Sequence, residues 1–146
     1  MRWTSCLSLT AAALIAAGAA GAQSLDPEKV TQPDGIELAE GDPQTLRARG
    51  ERLFNDPSIG ESGLSCANCH ADFGQYKQTF NKPYPHFVNM AKAKAGLDAV
   101  NAAEMVQLCM LVPMQTEPLD WRSAELAALA AYVEQQRAAF AAKSGE

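Results

Sequence analysis

Cys66-Ala67-Asn68-Cys69-His70 is the stretch whose reading decides the fold. Two cysteines separated by two residues and followed at once by histidine form the attachment signature of c-type haem. The spacing has a geometric reason. One turn of chain carries both sulfurs to one edge of a macrocycle, where they form thioethers with its vinyl groups. The adjacent imidazole of His70 then falls under the iron as an axial ligand. A bare pair of cysteines serves as often in zinc binding or disulfide exchange. Here the following histidine and the rest of the chain agree with haem. The motif occurs once, so one covalent haem c is expected.

Outward from the motif, the first 22 residues read as a secretory signal peptide. Arg2 supplies the positive region, Leu7 to Ala20 the apolar region, and Ala20-Gly21-Ala22 the cleavage site, which places the mature start at Gln23. The apolar run is short and rich in alanine for a membrane span, so none is expected in the mature chain. Cys6 precedes the apolar run and leaves with the signal. The expected destination is the periplasm, an oxidising compartment. Cys66, Cys69 and Cys109 are the cysteines that remain, and haem consumes two of them. With Arg2 removed, 11 basic residues face 17 acidic ones, a formal charge of −6. That balance argues against nucleic acid and against an anionic membrane surface, and suits steered encounter with redox partner proteins.

Residues 23–41 carry Pro33, Gly35 and several acids without apolar periodicity, and read as an extended or mobile acidic arm. Residues 42–146 form the expected helical domain. Asp42 and Pro43 open a first helix that ends near Asn55-Asp56-Pro57. Asn101 and Glu104 have capping-box spacing and open a helix over Ala102 to Leu111, stopped by Pro113. Ser123 caps the last helix, with Glu125 in its first turn and Leu126, Leu129, Ala130, Val133 and Phe140 on its buried face. Phe73 to Phe87 is aromatic, bears prolines and lacks helical period; it is expected to wrap the haem on the histidine side. No segment reads as a strand.

Gly50-Glu51-Arg52-Leu53-Phe54, the haem motif and Leu126 to Val133 together resemble a class I cytochrome c domain. The resemblance implies an all-α fold around one haem, in which the first helix crosses the last. Gly50, Phe54 and Tyr132 match that crossing by position. It also implies that a proline carbonyl orients the ligating histidine, for which Pro83 and then Pro85 are the candidates. A closer resemblance covers the second half. Cys109-Met110, Met114, Glu117-Pro118-Leu119, Trp121 and the helix from Ala124 to Gln135 are similar to the haem domain of the cytochrome A subunit of the Sox thiosulfate-oxidising complex. In that family the cysteine before the last helix ligates iron and carries a persulfide, and Cys109 stands at the matching place. The chain departs from the family in lacking a basic neighbour there, since Met105 and Met110 flank the position.

Met114 is the first expectation for the sixth iron ligand. It follows a helix-stopping proline, nine residues before the cap of the last helix, where class I cytochromes present a methionine. A thioether favours ferrous iron and suits an electron carrier. Cys109 is the second expectation; a thiolate there would favour ferric iron. His86 is a weaker candidate. Met90, Met105 and Met110 read as packing residues, and Lys92 and Lys94 as a solvated face or docking rim. Asp72, Glu104 and Asp120 form no acid–base pair. The resulting expectation is a periplasmic mono-haem cytochrome that carries single electrons between redox partners, with a sulfur-oxidation or respiratory complex as the candidate setting. The alternative is a Sox-like catalytic haem subunit acting on a sulfur substrate through Cys109.

Overall fold

A computed structural model describes residues 24–145. The expected signal peptide and cleavage site, Cys6 and Gln23 lie outside the described residues. Five α-helices follow in order: α1 (Pro43–Phe54), α2 (Ala67–His70), α3 (Asn89–Ala95), α4 (Ala102–Leu111) and α5 (Ala124–Ser144). Short 3-10 turns cover Pro27–Lys29, Ala71–Phe73 and Gln78–Asn81. Among the described residues the only extended pairing is an isolated bridge between His86 and Val100. The described residues form an all-α fold, as expected. No helix of the described residues is long and apolar enough to cross a membrane.

The helices begin where side chains can satisfy their free N–H groups. Asp42 accepts from the Thr45 amide at 2.8 Å ahead of Pro43, and Ser123 Oγ accepts from the Leu126 amide at 3.1 Å. Asn101 Oδ1 accepts from the Glu104 amide at 2.9 Å, while Glu104 Oε2 accepts from the Asn101 amide at 2.8 Å, a complete capping box. Helix α3 was not foreseen. Its Asn-Met-Ala-Lys-Ala-Lys-Ala sequence has no apolar face of its own, but Ala91 and Ala95 are buried and Gly96 ends it at φ 73°.

Helices α1 and α5 make the main contact of the domain. At Gly50 an added Cβ would stand 2.1 Å from the Ala128 carbonyl oxygen and 2.6 Å from Tyr132 Cβ. The two helices therefore touch backbone to backbone. Phe54 then meets the Tyr132 ring edge-on at 5.2 Å, and Arg49 pairs with Glu125 beside the crossing. Both Phe54 and Tyr132 are buried in one core with Val106, Met110, Met114, Leu126 and Leu129.

The arm is docked rather than mobile. Val30 is fully buried in a second core with Ala91, Ala95, Val100 and Leu108. The Leu25 amide donates to the Lys94 carbonyl at 2.7 Å. The Gln32 amide donates to Glu104 Oε1 at 2.9 Å, and Asn101 Nδ2 donates to Gln32 Oε1 at 3.0 Å. The capping box of α4 thus also holds the arm.

Two substitutions test this packing. Helix propensity alone would make Gly50→Ala stabilising by about 1 kcal/mol. Because the new methyl meets backbone, the variant should instead lose about 1–3 kcal/mol, read as a lower thermal midpoint with haem still attached. An unchanged or raised midpoint would contradict the close crossing. Glu104→Ala removes the acceptor shared by Asn101 and Gln32, so amide exchange at Gln32 and Val30 should accelerate relative to that in α5. Equal exchange in variant and parent would show that Glu104 does not hold the arm.

Candidate haem site

The motif residues sit on a single tight turn. Cys69 and His70 amides both donate to the Cys66 carbonyl, at 3.2 and 3.0 Å. Asn68, inside the motif, closes the turn: its Oδ1 accepts from the Ser65 amide at 2.7 Å and from Ser65 Oγ at 2.9 Å. This role of Asn68 was not anticipated, although asparagine is a common local capper. Cys66 and Cys69 are half-buried free thiols on the same wall. Burial pushes the Cys66 thiol up to about 11, so it is neutral at physiological pH.

The His70 ring lies between Phe54, at 6.5 Å, and Tyr76, at 4.9 Å. Its Nδ1–H donates to the Gly74 carbonyl at 3.1 Å. A carbonyl can only accept, so this contact fixes the proton on Nδ1 and leaves the Nε2 lone pair free. Burial lowers the His70 pKa, against an opposing effect of the Gly74 bond, which keeps the ring neutral and able to ligate. The expectation of a Pro83 or Pro85 carbonyl in this role is corrected to Gly74. The chain reverses through left-handed conformations at Asp72 (φ 52°), Phe73 (φ 63°) and Gln75 (φ 57°), which bring the Gly74 carbonyl back to the ring. Positive φ is uncommon for a bulky residue. Phe73 holds it with its ring packed on Tyr76 and Phe140, at 5.9 and 5.7 Å. The segment from Phe73 to Phe87 does form an aromatic wall beside the histidine, with Tyr76 and Phe80 at 4.2 Å.

Cys66, Cys69 and His70 face a cavity of about 360 Å³ with mainly apolar walls. Its volume is in the range of small-molecule and cofactor sites. Phe54, Val106, Leu129 and Val133 supply apolar surface, and exposed Gln75 and Lys77 stand at its open side. Two thiols, a neutral imidazole with a free nitrogen and mainly apolar walls fit haem c: they would supply a covalent edge, an axial ligand and apolar cover.

The two expected sixth ligands part company here. Cys109 lines the cavity, together with Met90, Met105 and Met110; Met114 does not. Met114 is 2 % exposed and turned into the core beside Gly60, where an added Cβ would meet Met114 Cβ at 2.8 Å and Cε at 3.1 Å. The 59–62 loop closes over it, with the Ser62 amide donating to the Met114 carbonyl at 3.1 Å. Gln107, fully buried in α4, clamps the same segment: its Nε2 donates to the Leu119 carbonyl at 2.7 Å and its Oε1 accepts from the Leu119 amide at 2.9 Å. A buried polar side chain inside an apolar helix was the available signal for this clamp.

Cys109 is half-buried and lines the cavity. Burial, and to a lesser extent Cys66 and Cys69, push its thiol up to about 12. No cationic side chain counters that effect, so the thiol stays protonated unless a metal binds it. His86 also lines the cavity. Lys92 is exposed and paired with Asp98 at 2.8 Å, and Lys94 is half-buried. Glu104 serves the capping box and Asp120 accepts from the Arg122 amide; neither approaches acid–base use.

No curated protein and no solved structure matches the chain. A family does: residues 49–139 match the SoxA/TsdA cytochrome c domain. The matched segment runs from the α1 crossing through the haem motif and Cys109 into α5, and so contains every residue that builds the cavity walls described above. The chain belongs to the SoxA/TsdA cytochrome c domain family, whose members carry haem c and exchange electrons with redox partners.

Proposed function

We propose that the protein is a periplasmic mono-haem electron-transfer cytochrome in which His70 and Cys109 are the axial ligands. The observation that carries the reading is the position of Cys109 on the cavity wall while Met114 is sealed beneath Gly60. Haem c supplies an iron that changes between ferrous and ferric states by one electron. Cys66 and Cys69 hold that group covalently. His70 presents Nε2, with its orientation set by Gly74. Phe54, Leu129 and Val133 keep water from the cavity. Coordinated as thiolate, Cys109 supplies a negative charge that favours ferric iron and sets a low potential. The partners proposed are proteins of a sulfur-oxidation or respiratory chain.

A second reading is favoured by the same cysteine and by the family. Cys109 could accept a thiosulfate-like anion: an S–S bond forms between Sγ and the terminal sulfur, the thiol proton is released, and two electrons go to an acceptor protein. The absence of a cation acting on Cys109 weighs against it, since an anionic substrate has no counter-charge at the sulfur.

Mass spectrometry of protein expressed with haem-attachment machinery should show one covalent haem on the mature chain, and Cys66→Ala or Cys69→Ala should sharply reduce holoprotein yield. A bare-chain mass in the parent would end the haem reading.

Ferric optical and paramagnetic spectra decide the sixth ligand. Cys109→Ser should change the low-spin spectrum and raise the potential. Met114→Ala should leave the spectrum intact and lower stability by about 2–5 kcal/mol, as a core truncation does. The reverse pattern returns ligation to Met114. Incubation of the oxidised parent with thiosulfate, followed by a mass shift on the peptide carrying Cys109, would favour the catalytic reading over the carrier.

A further inference from the structure

His86 is 5 % exposed, lines the haem cavity, and has no hydrogen-bond partner on either ring nitrogen. The Lys82 and Pro83 carbonyls lie near enough to influence the ring, yet neither accepts a hydrogen bond from it. The residue is firmly held. Its amide donates to the Val100 carbonyl and its carbonyl accepts from the Val100 amide, both at 3.1 Å. Its ring stacks on Tyr84 at 4.2 Å and 22°, and meets Phe80 edge-on at 5.9 Å. The Tyr84 hydroxyl beside it is buried and unpartnered as well.

Leaving such groups unsatisfied is costly, and buried polar atoms in folded proteins are almost always paired. A ring with an unused donor, fixed on the cavity wall by stacking and a backbone bridge, is therefore shaped for a polar atom of something bound. The cavity that His86 lines is otherwise mainly apolar. Haem brings two carboxylates into it, and a carboxylate withdrawn from water needs donors.

We propose that His86 forms a seat for one haem carboxylate and donates one hydrogen bond to it. The proposal rests on the reading that the cavity holds haem c. Burial lowers the His86 pKa, so the ring is neutral and carries one N–H for this purpose. The charged groups that act on it from α5 are Arg137 and Glu134, which pair with each other at 3.0 Å. Their charges therefore largely cancel, and the seat works through a neutral donor. Iron is served by other groups, His70 from one wall and the sulfur of Cys109.

The test is resonance Raman spectroscopy of the ferric holoprotein, reading the bending bands of the haem carboxylates, with parent, His86→Leu, His86→Gln and His86→Phe compared. His86→Leu should shift one carboxylate band and leave the other unmoved. His86→Gln, which keeps an N–H donor, should return the band toward its parent position. His86→Phe, which keeps a ring against Tyr84 but carries no donor, should shift the band as His86→Leu does. Unmoved bands in His86→Leu overturn the proposal. If that variant does not mature, an unmoved band in His86→Phe overturns it. Loss of the low-spin ferric spectrum in His86→Leu also overturns it, because the ring would then be an iron ligand. A parent protein with no covalent haem is a different failure: it removes the cofactor reading itself.

Discussion

The backbone contact at Gly50 is the constraint on which the site depends. Helices carrying side chains at every contact stand roughly 8–10 Å apart. With no Cβ at Gly50, α1 settles against the Ala128 carbonyl and the Tyr132 stem. That approach places Phe54 at once in contact with Tyr132 and near His70. One glycine thus connects the strongest helix pair to the wall of the haem cavity. The cavity exists because the helices that bound it are fastened elsewhere: α1 to α5 at this crossing, α4 through its capping box, and the motif turn through Asn68.

How much of this was legible in the sequence depends on the range of the interactions. Helix starts were legible at Asp42, Asn101 and Ser123 because a capping side chain satisfies amides two or three residues away. The Gly50 crossing was legible through a family pattern, and the structure supplies its cause. The acceptor for His70 was not legible, because it rests on left-handed backbone at Asp72, Phe73 and Gln75, residue types that give little notice of it. The arm misled for a related reason. Val30 is one apolar residue in a polar stretch, and periodicity has no hold on a single anchor.

The choice between Met114 and Cys109 shows a limit of another kind. Both lie within one short segment, and loop position alone favours the methionine. Its direction is set by distant groups: Gly60 leaves room for the side chain to pack inward, and Gln107 holds Leu119 so that the loop folds over the core. Neither residue advertises that role locally. Cys109 needs no such arrangement, since it sits within α4 and is carried to the cavity by the same helical face that presents Met105.

The acceptor of the His70 proton belongs to the same short reversal of chain as the ring it serves, four residues away. The aromatic wall beyond it, from Tyr76 through Phe80 to Tyr84, leans on that same reversal, since Tyr76 packs on both His70 and Phe73. The orientation of the imidazole is therefore tied to the near end of the wall. Tyr76 also lines the cavity, so a displacement of the wall there would reach the ring as well as the cavity cover. Cover and ring orientation share one stretch of chain, and neither can be altered at Tyr76 without the other.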